Sequence, residues 1–156
     1  MNLDHIDKQI LNILMQDATT TAVEVAKQVH VSPGTVHVRM KNLRQAGVVQ
    51  GTMLKVDYSM LGLNMVAFVG IYLERSSQYT EVVLRLQQIP EIVMVHYTTG
   101  PYSIFAQIVC KDSQDLHEIL QHHVQGIKGV QRTESFISLE ESIHRPVDIL
   151  KEEDLL

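Results

Sequence analysis

Ser32-Pro33-Gly34-Thr35-Val36-His37-Val38-Arg39-Met40-Lys41-Asn42-Leu43-Arg44-Gln45-Ala46-Gly47 is the stretch on which the fold turns. Ser32 is a good N-cap, and Pro33 suits the first helical position, where its missing N–H is no loss. Val36, Met40 and Leu43 recur at helical spacing and make one apolar stripe. Gly47 is placed to end the helix in a left-handed conformation. At about 100° per residue, Gly34, Val38, Lys41 and Gln45 face away from that stripe, flanked by Thr35, His37, Arg39 and Asn42.

Upstream, residues 22–29 read as a shorter helix. Thr21 and Glu24 fit a capping box, and Val25, Ala26 and Val29 form its buried face. The short connection His30-Val31 then gives this helix and the next the proportions of a helix-turn-helix. A first helix is predicted over Asp4–Gln16, with Ile6, Ile10, Ile13 and Leu14 at helical spacing and Asp4 and Asp7 favouring its positive N-terminal end.

Charge gives this module a partner. No Asp or Glu occurs from Val25 to Val56, while Lys27, Arg39, Lys41, Arg44 and Lys55 do, with His30 and His37. The chain as a whole carries a formal charge of −5. A local positive field on an acidic protein suits a polyanion, because Lys and Arg neutralise phosphates and release counterions. A solvated basic face or a trihelical packing module would show the same charge or the same helices. The coincidence of both favours duplex DNA, with small and polar side chains at the start of the second helix entering a major groove. The N-terminal amides beside Ser32 and Thr35 suit a phosphate. The expected contact set is Lys27, Ser32, Pro33, Gly34, Thr35, His37, Val38, Arg39, Lys41, Asn42 and Arg44.

Downstream the rhythm changes. Residues 48–60 are expected to be a strand and linker, since Val48, Val49, Thr52, Leu54 and Val56 favour extension and Gly51 breaks the run. Leu61-Gly62-Leu63-Asn64 marks a boundary. Strands are predicted over 66–73, 92–98, 103–110 and 130–139. Helices are predicted over 80–88 and from a Ser113 cap to about Gln125. Two helix-to-strand turns correspond, Ile89-Pro90-Glu91-Ile92 and Ile127-Lys128-Gly129-Val130. The order β-α-β-β-α-β implies a ferredoxin-like sandwich with helices on one face of an antiparallel sheet. The other face is largely apolar and predicts a dimer formed back to back. The fold class is therefore α+β: an N-terminal winged-type helix-turn-helix over 1–50, a strand and linker over 51–64, and a βαββαβ domain over 65–156.

Composition narrows the rest. An apolar fraction of 45% and a charged fraction of 20% are ordinary for a globular chain. The single cysteine, Cys110, allows no internal disulfide and no Cys-based metal cage, and it reads as a small buried hydrophobe in a strand. Asp4 and Asp7 sit where a signal peptide would be basic, and no apolar run reaches the ~20 residues that span a bilayer, so a cytoplasmic protein without a membrane partner is expected. His117 and His122 are five apart and do not share a helical face as an i,i+4 zinc pair would, so no metal is expected. Glu140-Glu141 and Glu152-Glu153-Asp154 read as solvated charge.

Asp4-x-x-Asp7-x-x-Ile10-Leu11, Val25-Ala26, Val31-Ser32-Pro33-Gly34-Thr35-Val36-His37-Val38-Arg39, Gln45-Ala46-Gly47-Val48-Val49-x-Gly51 and Tyr97-Thr98-Thr99-Gly100-Pro101-Tyr102-Ser103-Ile104-Phe105 together resemble the Lrp/AsnC family of transcription regulators. The Ser-Pro-Gly-Thr-Val-His-Val-Arg run is closest to its AsnC branch. The resemblance implies a helix-turn-helix joined to a βαββαβ effector-binding domain. It also implies an amino-acid pocket, at contacts between dimers, in which the loop between the second and third strands takes part. Family members often carry Gly-Asp-Tyr-Asp there. This chain has Gly100-Pro101-Tyr102-Ser103, so two acids have become Pro and Ser. An aspartate can hold an α-ammonium by a charge-assisted bond, and its loss argues against a leucine-type site. Ser103 matches a serine of the asparagine-responding branch, where a hydroxyl can bond a polar side chain. The expected effector set is Thr98, Thr99, Gly100, Pro101, Tyr102 and Ser103, with Gln125, Thr133 and Ser135. The last two read equally well as solvent-facing strand residues, and Gly100-Pro101 as a tight hairpin.

The function expected is a non-enzymatic transcription regulator whose assembly or DNA binding responds to a small amino acid, asparagine first and other neutral amino acids after it. No other cofactor is expected. Its partners would be double-stranded DNA, the effector, and further copies of itself as a homodimer and an octamer of four dimers. The alternative is an enzyme, since some tetrapyrrole decarboxylases resemble this architecture. His96, His117, His122, Arg75 and Arg132 would then serve. An enzyme has no need of an acid-free basic helix-turn-helix.

Overall fold

The structure, a computed structural model, describes residues 2–150. The chain divides into two compact units, one running to Lys55 and including the tail from Ser142, the other Val56–Glu141. The tail, placed by the sequence with the effector-binding domain, thus groups with the first unit. There the Ile149 N–H donates to Asn12 Oδ1 on the first helix at 3.4 Å. The acidic run Glu152-Glu153-Asp154 lies outside the described residues.

Three helices form the first unit: α1 (His5–Gln16), α2 (Ala22–Gln28) and α3 (Pro33–Gln45). Each starts where a side chain satisfies its orphan amides. Asp4 caps α1 and Ser32 caps α3, and Thr21 and Glu24 close a capping box on α2. Ile10, Val25, Ala26, Val29 and Val36 pack into one core, with Ile6, Ile13, Leu14 and Met40 at its margin. His30 takes φ 55 in the turn between α2 and α3, a left-handed conformation that a non-glycine residue seldom adopts. Gly47 takes φ 74 after α3, as its position predicts.

The strand expected over 48–60 does not form. The amides of Val48 and Val49 both bond the Leu43 carbonyl, so this chain closes the end of α3 instead of extending. A strand needs a ladder partner, and the described part of this unit has no strand to offer. Further on, Tyr58–Leu61 makes one 3-10 turn capped by Asp57.

The second unit follows the predicted order. It comprises β1 (Met65–Leu73), α4 (Tyr79–Leu86), β2 (Ile92–Tyr97), β3 (Ile104–Cys110), α5 (Ser113–Glu118) and β4 (Val130–Ile137). The sheet order is β2-β3-β1-β4, all antiparallel, with β1 and β3 central. Ala67, Val69, Ile71, Ile104 and Ile108 face the helices and meet Val82, Leu86, Leu116, Ile119 and Val124 in the main core. The two corresponding turns are built alike: the Ile92 amide bonds the Ile89 carbonyl, and the Val130 amide bonds the Ile127 carbonyl.

Two details of α5 differ from expectation. Asp112, not Ser113, is its cap, accepting from the amides of Gln114 and Asp115. A carboxylate in extended backbone one residue earlier takes the place expected for the hydroxyl. Beyond Glu118 the helix widens into a π-helical turn, Ile119–Val124, with the Gln125 amide bonded to the Leu120 carbonyl five residues back. Val124 is buried together with Leu116 and Ile119. Cys110 is fully buried, and burial pushes its thiol up to about 11, so it packs as a hydrophobe.

Candidate functional site

The outer face of α3 carries the residues a groove-reading helix needs. Gly34, His37, Val38, Lys41, Asn42 and Arg44 are exposed, Val38 by 60%, while Val36 and Leu43 are buried. Ser32 Oγ accepts the Thr35 amide at 3.1 Å and lies 2.9 Å from Thr35 Oγ1, which fixes both hydroxyls at the start of α3. Lys27, on α2, is exposed as well. Small and polar groups thus lead the helix, and fixed cations follow along it and beside it.

Arg39 has a different setting. Its Nη1 donates to Asp4 Oδ2 and to Asp7 Oδ1, each at 2.7 Å. Asp7 is buried, with 6% of its surface exposed. The two acids also cap α1 reciprocally, the Asp7 amide donating to Asp4 Oδ1 at 2.8 Å and the Asp4 amide to Asp7 Oδ2 at 3.3 Å. That capping box sets two carboxylates side by side, and the guanidinium between them removes the repulsion. The Asp7 amide, and after it Arg39, holds the Asp4 carboxyl below its usual range. Arg39, expected to contact DNA, also joins α3 to α1 through these two carboxylates. Asp4-x-x-Asp7 was legible only as an acidic helix start; two acids three apart at a cap, with a cation one domain-width along the sequence, were the signal that went unread.

In the second unit, the loop from Thr98 to Ser103 is stitched to the sheet. The Thr98 amide donates to the Ser103 carbonyl at 3.1 Å, the Thr98 hydroxyl to the Tyr102 carbonyl, and the Ser103 amide to the Ile71 carbonyl of β1 at 3.1 Å. Thr99, Gly100 and Pro101 are left exposed at the tip. Gln125 Nε2 donates to Thr133 Oγ1 at 2.9 Å, so two expected effector residues from different elements meet. Thr133 and Ser135 pair with Ile71 and Val69, which puts them on the helix side of the sheet. No hydrogen bond to the Ser103 hydroxyl is seen among the described residues.

The opposite face of the sheet holds an aromatic cluster. Phe68 stacks on Phe105 with centroids 5.8 Å apart, and Tyr102 meets Tyr72, Phe105 and Phe136 at 5.1, 6.1 and 6.0 Å. Within it lies one charged knot. Glu134 accepts from the Tyr102 hydroxyl at 2.8 Å, from the Tyr72 hydroxyl at 3.2 Å, and from Arg132, whose guanidinium stacks 3.5 Å above the Tyr72 ring. Arg132 and then Tyr102 hold the Glu134 carboxyl below its usual range. Sequence reasoning placed Tyr102 in the effector loop and missed this knot. Alternation along β4 was the available signal, since Glu134 falls on the same face as Arg132 and Phe136.

A basic recognition helix on a trihelical unit, followed by a βαββαβ unit with a polar loop, defines a transcription regulator with its own ligand-binding domain. A winged helix-turn-helix DNA-binding family model matches residues 3–50, and the Lrp/AsnC ligand binding domain model matches residues 66–148. The regulatory protein AsnC of Haemophilus influenzae is 39% identical over 146 residues, covering 94% of this chain and 97% of that protein. The structure of AsnC from E. coli superposes with a TM-score of 0.88 at 36% identity, covering 95% of this chain and 99% of that one. A transcriptional regulator from Neisseria meningitidis, solved as its L-Met complex, shares the fold at a TM-score of 0.89 and 24% identity, covering 99% of this chain and all of that one. The chain belongs to the Lrp/AsnC family of transcription regulators. It is a DNA-binding regulator and not an enzyme, and the decarboxylase alternative falls with that assignment.

Proposed function

We propose that this regulator responds to asparagine, bound at the Thr98–Ser103 loop with Gln125 and Thr133, and that the amino acid changes how copies of the chain assemble on DNA. The observation that carries the ligand is the loop itself. It presents hydroxyls and amides where an acid would favour other side chains, in a chain with relatives named AsnC at 37% and 39% identity. That a relative of the same fold was solved with L-Met supports an amino acid of some kind at this domain. Two copies pair through the aromatic sheet faces, and four such dimers make the octamer. No described helix is long and apolar enough to cross a membrane, in keeping with a protein that works where DNA is. Ser32, Pro33, Gly34, Thr35, His37, Val38 and Asn42 lie at the groove, and Lys27, Lys41 and Arg44 hold phosphates.

Calorimetric titration with asparagine, leucine and methionine, paired with light-scattering mass, tests the reading. Asparagine is expected to bind best and to shift the mass. Ser103→Ala is expected to weaken asparagine by about 0.5–1.5 kcal/mol through the lost hydroxyl. Leucine or methionine binding best would replace asparagine as the ligand, and tight binding without a shift in mass or DNA affinity would remove the regulatory coupling.

A further inference from the structure

Tyr102 belongs to two places at once. Its backbone lies in the loop, where its carbonyl accepts the Thr98 hydroxyl and the next amide, Ser103, is bonded to Ile71 of β1. Its ring lies on the open sheet face, over Gly70. A Cβ built on Gly70 would sit 2.4 to 2.7 Å from three atoms of that ring, closer than any side chain allows. So the ring rests on bare backbone and fills the space a side chain of β1 would take. The hydroxyl then reaches Glu134 on β4, while the ring edges meet Tyr72, Phe105 and Phe136. No other residue of the Thr98–Ser103 loop takes part in these ring contacts or in the Glu134 knot.

We propose that Tyr102 is the positioning residue that couples the effector loop to the sheet face on which two copies pair. The inference rests on the proposed pairing and deepens it. With the Tyr102 carbonyl held by the Thr98 hydroxyl and the following amide bonded to β1, a change in the loop tip reaches the ring through one residue. The ring and Glu134 form part of the surface the second copy covers. Loop conformation and dimer affinity are then linked, and the linkage is reciprocal. Gly70 is the second half of the device, because only its bare backbone lets the ring lie flat.

A ligand-free double-mutant cycle tests this. The dimer dissociation constant is measured by sedimentation for the wild type and for Pro101→Gly, which loosens the exposed tip. It is measured again for the same pair in the Y102A background and in the G70A background, which removes or lifts the same ring; circular dichroism checks the fold of each. Pro101→Gly is expected to change the constant about five-fold or more in the wild type, the lower end of ordinary coupling, and to leave it unchanged in both backgrounds. An undiminished Pro101→Gly effect in either background overturns the proposal. So does no effect in the wild type, or a chain that sediments only as a monomer. Asparagine titrated into the wild type in parallel separates the two readings: failure to bind removes that ligand and leaves the cycle standing.

Discussion

Arg39 and Lys41 stand two residues apart on α3 and meet different fates. Arg39 is held at 2.7 Å by two carboxylates of the same unit, one of them buried, whereas Lys41 is exposed. Arg39→Ala leaves Asp7 buried without its cation and is expected to lower unfolding stability by about 1–3 kcal/mol in urea titrations. Lys41→Ala is expected to stay within about 0.5 kcal/mol of wild-type stability, as exposed changes do. It should instead reduce the slope of log DNA affinity against log salt by about 0.9 if it holds one phosphate. Equal loss of stability in both variants would contradict this division. Sequence alone ranked the two together because both are cations in an acid-free run. What separates them is a contact across more than thirty residues that helical periodicity does not encode.

At the scale of elements, the local signals were strongest where chemistry is local. The caps Thr21 and Ser32, the stop at Gly47 and the twin turns at Ile89 and Ile127 all depend on neighbours within a few residues, and all are formed. The effector loop was legible as a polar turn, and its strands were legible from alternation. The strand expected over 48–60 was not, because β propensity is realised only with a partner. The π-helical turn was not legible either, since Leu116, Ile119, Leu120 and Val124 suit an ordinary helix about as well. One element-scale consequence is testable by pH. Asp4 is lowered from the ordinary value of 3.8, first by the Asp7 amide and then by Arg39. A carboxyl lowered on folding stabilises the fold above its unfolded value, and that contribution is lost as pH falls through the folded value. The first unit is therefore expected to lose stability below about pH 4. Asp4→Asn should flatten that acid limb in pH-dependent melts, and an unchanged limb would exclude Asp4 as its source.

For the whole molecule, the proposed pairing through the aromatic face is open to a direct test. Phe105 stacks on Phe68 at the centre of that face, so Phe105→Asp places a charge where a second copy would lie. The variant is expected to sediment as a folded monomer and to lose about a hundred-fold or more in affinity for a two-half-site operator, the usual worth of bivalency. Affinity for a single half-site should hardly change. The connector between the units has its own consequence. From Val48 to Asp57 the chain has no regular structure, and Met53 and Leu54 are 92% and 86% exposed. A protease that cuts after Lys55 therefore finds its substrate ready. The tail from Ser142, however, stays with the larger piece while grouping with the unit that the smaller piece builds, Ile149 meeting Asn12. A nicked chain is expected to run as two bands on a denaturing gel and as one particle on a native column, a protein held together by fragment complementation after its backbone is broken.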